Sequence, residues 1–168
     1  MKRLLLSGSF SILLLLSGCA YHLVGHGSSV GTIPADVTSI SIGGHIDNNL
    51  LLKFRQRLHS DAYSIVNRSA VTDQQHHATV DIQLPAPNFV PSAYSTNGVA
   101  TQYRMSLSGS VSITRQGKSI WQSGAIQRQG DVFVTGGPTS IESSRQRLLE
   151  DLGKQWVDDA VGRIRSGF

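Results

Sequence analysis

The sequence predicts an α+β domain in which two amphipathic helices pack on one face of a mainly antiparallel sheet of four to five strands, in the order β-α-β-β-β-β-α. Three observations predict it. Two segments, 50–58 and 139–164, repeat apolar residues at three- and four-residue spacing, the mark of a helix with one face to bury. Shorter runs between them alternate apolar and polar residues, as half-buried strands do. The two longest alternating runs flank Gln116-Gly117, a hairpin turn signal. Each helix has a single apolar stripe, and a sheet carrying both helices on one face buries all of it.

Taken in order, residues 20–36 hold Gly25, Gly27, Ser28, Ser29, Gly31 and Pro34, and read as a tether ending in a turn, with the folded domain starting near Ile33. Residues 37–42 alternate, with Thr38, Ile40 and Ile42 on one side, and Gly43-Gly44 is expected to end this strand. Asp47 or Asn48 can cap a helix whose stripe is Leu50, Leu51, Phe54 and Leu58. Residues 62–66 form a short strand candidate, and 78–84 a better one, with Val80, Ile82 and Leu84 on one face. Pro85, Pro87 and Pro91 then predict a long loop over 85–98. Residues 103–114 put Tyr103, Met105, Leu107, Gly109, Val111 and Ile113 on one side and mostly Ser and Arg on the other; 119–134 is expected to return as one strand. Thr139-Ser140-Ile141-Glu142 has capping-box spacing, and Leu148, Leu149, Leu152, Trp156, Ala160, Val161 and Ile164 make the last stripe.

The 168 residues accommodate one such domain once the N-terminus is set apart. Lys2 and Arg3 precede a mostly apolar run, 4–16, that is too short for a membrane span and ends in small residues, as a signal peptide does. The expected organisation is therefore a removed signal peptide, 1–18, a lipid-anchored tether, 19–32, and one α+β domain, 33–168. Removal of 1–18 takes away two cations and lowers the formal charge from +4 to +2, and the remaining Lys and Arg form no run long enough for a nucleic-acid footprint.

Cys19 is the single cysteine and cannot form an intrachain disulfide. A buried free thiol beside an ordinary cleavage site is one explanation. The other is that Leu16-Ser17-Gly18-Cys19 resembles the bacterial lipobox, which implies cleavage after Gly18 and modification of Cys19 by a diacylglyceryl group and a further acyl chain such as palmitate. Position 20 is Ala rather than the Asp that tends to hold such proteins at the inner membrane, so an outer-membrane location is expected.

Little else in the chain asks for covalent chemistry. The six histidines, His22, His26, His45, His59, His76 and His77, show no H-E-x-x-H and no helical i, i+4 pair, and no metal or other cofactor is expected. His59 at a helix end is explained by the carbonyl dipole. The carboxylates are scattered or lie on the last helix, and Gly43-Gly44 lacks a phosphate-binding pattern. A non-enzymatic role follows as the expectation, with no catalytic residues.

The run Gly18-Cys19-Ala20-Tyr21-His22-Leu23-Val24-Gly25 resembles the mature start of the lipopolysaccharide-assembly lipoproteins (LptE, also called RlpB). Ile33-Pro34, the 50–58 helix, Asn97-Gly98 followed by Ala100 and Tyr103-Arg104-Met105, Trp121 and the C-terminal helix occur in that family's order. The resemblance implies a plug inside a large outer-membrane β-barrel, the LptD-like translocon that delivers lipopolysaccharide to the surface, with lipopolysaccharide itself a further ligand. The chain departs from enteric members where their basic lipopolysaccharide contacts lie, having Ser95-Thr96 and Thr135-Gly136-Gly137 there. Arg104, Arg115, Lys118 and Arg128 on the long hairpin are the remaining candidates for phosphate contact, beside the plainer reading that they are ordinary solvent-facing charges. The competing function is a periplasmic, lipid-anchored lipoprotein that binds an envelope ligand through the 85–98 loop; a lipid-anchored hydrolase with an unmarked site is a third.

Overall fold

The computed structural model describes residues 31–134 and 138–167. Cys19, the expected signal peptide and most of the expected tether lie outside the described residues, as does Thr135-Gly136-Gly137.

Chain entry is fixed at Thr32, whose backbone amide and hydroxyl both donate to the Ile164 carbonyl, at 2.9 and 3.1 Å, and Ile33 is buried directly behind it. Strand β1, Ser39–His45, continues through the glycines expected to stop it. It pairs in parallel with β3, His77–Gln83, along its whole length. Gly44 makes this possible: its φ is +124°, and a Cβ there would lie 2.0 Å from the Ile82 carbonyl oxygen, so only glycine lets the two backbones approach. Between these strands come helix α1, Asn48–Leu58, and the two-residue strand β2, Ser64–Ile65, parallel to β1 on its other side. Asp47 is the cap, its Oδ1 accepting from the amides of Asn49 at 2.9 Å and Leu50 at 3.3 Å.

The region 85–98 is not a structureless loop. It contains strand β4, Asn88–Tyr94, antiparallel to the 16-residue strand β5, Ala100–Arg115. Pro85 and Pro87 interrupt the chain after β3, and β4 resumes pairing farther along the same β5, to which β3 is also antiparallel. Pro91 is tolerated because β4 is an edge strand, and the pairing shifts register just after it.

The return run is likewise two strands, β6, Lys118–Gln122, and β7, Ile126–Phe133. At the break, the Ser123 hydroxyl accepts from the Val111 amide at 2.9 Å, and pairing with β5 slips by one residue between β6 and β7. The sheet thus has seven strands rather than four to five, with β5 as its spine. Its β1 pairings are parallel, because the β1-to-β3 connection carries a helix and is long enough for a crossover.

Helix α2 is Pro138–Ser166. The helix already begins at Pro138, a residue suited to a first helical position, so Thr139 lies within it rather than ahead of it, and the Glu142 carboxylate is held by Arg145 at 2.6 and 2.8 Å. The predicted stripe is correct, with Leu152, Trp156, Ala160, Val161 and Ile164 buried and Leu148 and Leu149 packed at its edge. Phe54 and Leu58 of α1 and the α2 stripe share one core with Ile40, Ile42, Val80, Ile82, Met105, Leu107, Val111 and Ile113. Both helices therefore lie on one face of the sheet, and the alternate strand residues form the other.

Candidate interaction face and its surroundings

The face opposite the helices is built by strand alternation alone. On β5 it carries Ser106, Ser108, Ser110, Ser112 and Thr114, and across from these stand Asn88, Gln129, Gln127, Gln83, Asp81, Gln122 and Thr79. Hydroxyls and amides dominate it. Where β1 meets β3 it closes over a histidine: His77 Nδ1 is 2.9 Å from Ser39 Oγ, Nε2 is 3.1 Å from Ser41 Oγ, and Ser41 Oγ is 3.2 Å from Thr79 Oγ1. His77 and Ser41 are both buried. Burial, aided by the positive charge of Arg68, pushes the His77 imidazole below its ordinary value, so it stands neutral. His76, its neighbour, faces the other way and is exposed, with Nδ1 2.8 Å from Asp73. Among the described residues, no three His, Cys, Asp or Glu side chains gather as a metal site would require.

The four basic residues predicted on the long hairpin do not converge. Arg104 lies on the polar face but forks onto Asp131, at 2.9 and 3.3 Å; the hydrogen bonds hold the Asp131 carboxyl below the usual range and raise Arg104. Arg115, at the far end of β5, binds Asp36 at 2.5 and 3.0 Å and donates to the Gln75 carbonyl, tying the hairpin to the chain entry. Asp36 is lowered chiefly by that hydrogen bond. Arg128 projects toward the helices and pairs with Asp159 of α2. Lys118 opens β6, exposed, with no ion pair among the described residues. The His77 cluster was missed by the sequence reading; its signal was the serines alternating with isoleucines in 39–42.

A cavity of about 800 Å³ opens beside α1, α2 and the segment 84–87. Leu84, Leu107, Leu149 and Leu50 line it, with Lys53 and Glu150 among its polar residues. No helix of the described residues is long and apolar enough to cross a membrane.

This architecture defines a class by shape. No family model matches the chain, and no curated protein matches it. Solved structures do: it superposes on an uncharacterized lipoprotein B from Nitrosomonas europaea with a TM-score of 0.63 at 9% identity, covering 78% of this chain and 84% of that one. It also resembles the rare lipoprotein B from Shewanella oneidensis, with TM-score 0.62, 14% identity, and 77% and 96% of the two chains covered. A minor lipoprotein from Acinetobacter baumannii gives 0.56 at 10% identity, over 78% and 92%. The chain has the fold of these lipoproteins.

Proposed function

We propose that this chain is a non-enzymatic lipoprotein, held at the outer membrane by acyl groups on Cys19, that plugs and helps assemble the β-barrel translocon delivering lipopolysaccharide to the outer leaflet. The observation that carries the reading is the hydroxyl- and amide-rich sheet face that follows β5 from Ser106 to Thr114. A barrel lumen is polar, and a plug must meet it with polar groups that do not demand a fixed counter-charge. The lipoprotein B fold and the Cys19 to Leu23 run agree with this role. Pull-down of the lipidated chain from detergent-solubilised outer membranes tests it. A large barrel protein is the expected companion, and recovery of the chain alone overturns the reading. Ser110→Arg, on the polar face, is expected to fold and to lose the barrel.

The cavity beside 84–87 favours one second reading, a binding lipoprotein for an amphipathic envelope ligand. Under it, Ala86→Trp, at an exposed position on the cavity rim, would abolish ligand binding without affecting recovery of a barrel.

A further inference from the structure

Four of the six most exposed large apolar side chains, Val90, Tyr94, Val99 and Phe133, lie at one end of the sheet; the other two, Leu52 and Ile120, lie elsewhere. Tyr94, Val99 and Phe133 are 62%, 64% and 64% exposed, more than solvent-facing apolar residues need to be when a core is nearby. Register holds them together: Tyr94 pairs with Ala100, Phe133 and Ala93 flank Gln102, and Val90 stands beside Arg104. Behind them Phe89 and Tyr103 stack with ring centres 5.0 Å apart, which stiffens the tip.

Among the described residues, the strands at this end carry no unpaired charge. Residues 82–103 and 132–134 contain no Asp, Glu, Lys, Arg or His, and the first charges met along β5 and β7, Arg104 and Asp131, neutralise each other. Three amides of the turn are satisfied internally: the Ser95 amide donates to the Val99 carbonyl at 2.8 Å, and the amides of Gly98 and Val99 donate to the Ser95 carbonyl at 3.0 Å and to its hydroxyl at 3.2 Å. Leaving water therefore strands none of these donors. The cavity described above lies away from the tip, which presents a protruding hairpin rather than a pocket for a small molecule.

We propose that this tip inserts into the interfacial zone of a lipid bilayer, driven by apolar burial and independent of headgroup charge. A tyrosine beside aliphatic side chains on a charge-free projection is the chemistry that this zone selects. An anionic partner, protein or lipid, would call for cations that the tip lacks. The inference does not rest on the barrel reading.

The test uses the full mature chain in vesicles of uncharged phosphatidylcholine whose acyl chains carry bromine. Tyr94→Trp is expected to show quenching beyond that of the parent's Trp121 and Trp156, unaltered by added salt. Gln127→Trp, exposed in the middle of the sheet, is expected to show no such increase. Adding Val99→Asp to Tyr94→Trp is expected to remove the quenching while the far-ultraviolet circular dichroism stays native, since position 99 is exposed. No excess quenching at 94, quenching that needs anionic lipid, equal quenching at 127, or a concentration-dependent blue shift without lipid would each overturn the proposal, the last pointing to a second copy of the chain.

Discussion

Trp156 is completely buried, and its indole Nε1 donates to the Ile126 carbonyl at 3.1 Å, joining α2 to the start of β7. Replacing it by Phe leaves that carbonyl without its donor and a gap where the larger ring was, at a cost of about 2 kcal/mol. Replacement by Ala costs about 3 to 5 kcal/mol. Urea unfolding with an unchanged m-value checks both. Trp156 was legible in the sequence because it falls on a 3.6-residue period. His77 was not, because its burial depends on Ser39 and Ser41, brought beside it by parallel pairing. Its pKa is lowered in the fold, so below the ordinary value of 6.5 the unfolded chain binds a proton that the folded chain refuses. The contribution is intact above that pH and is lost as pH falls through the depressed folded value. Thermal melts from pH 7.5 downward are expected to show this loss before the carboxylates titrate. His77→Gln should flatten that part of the profile.

At the scale of elements, the punctuation of the chain decided what could be foreseen. Gln116 and Gly117 both have positive φ, 50° and 76°, the geometry of a two-residue hairpin turn whose twist matches the flanking strands. Gln116 is the only described non-glycine residue in that region, and asparagine tolerates it better. Gln116→Asn should therefore raise the melting temperature by a degree or so, with β5 and β6 unchanged in register. Capping by Asp47 was also legible, because the cap uses its own side chain on amides two and three residues ahead. Strand β4 was hidden by Pro85, Pro87 and Pro91, which argue against a strand until β5 is known to extend far enough to pair with it as an edge. The break at Ser123 was hidden for a related reason: a serine hydroxyl takes the place of a backbone partner there, and hydropathy does not record that substitution.

Over the whole molecule, alternation revealed that β5 has one polar and one apolar face, whereas the fate of its charges waited on long-range pairing. Arg104 and Asp131 are 27 positions apart and Asp36 and Arg115 are 79 apart, so no local pattern could show that these cations were already engaged. The layout of the ends governs how the domain would meet a membrane. Its chain entry is tied to the end of α2, and the uncharged tip lies at the other end of the 16-residue β5, a span of about 50 Å at strand rise. The proposed anchoring on Cys19 and the proposed contact through the tip are thus separable. Each buried methylene of an acyl chain contributes about 0.8 kcal/mol, so several chains anchor a domain where a few exposed side chains cannot. Cys19→Ser is therefore expected to move the chain from the membrane to the soluble fraction after fractionation, with the circular dichroism of the domain retained. Val99→Asp with Cys19 intact should stay in the membrane fraction and lose only the tip contact. Membrane retention of Cys19→Ser at the wild-type level would show that acylation is not the anchor.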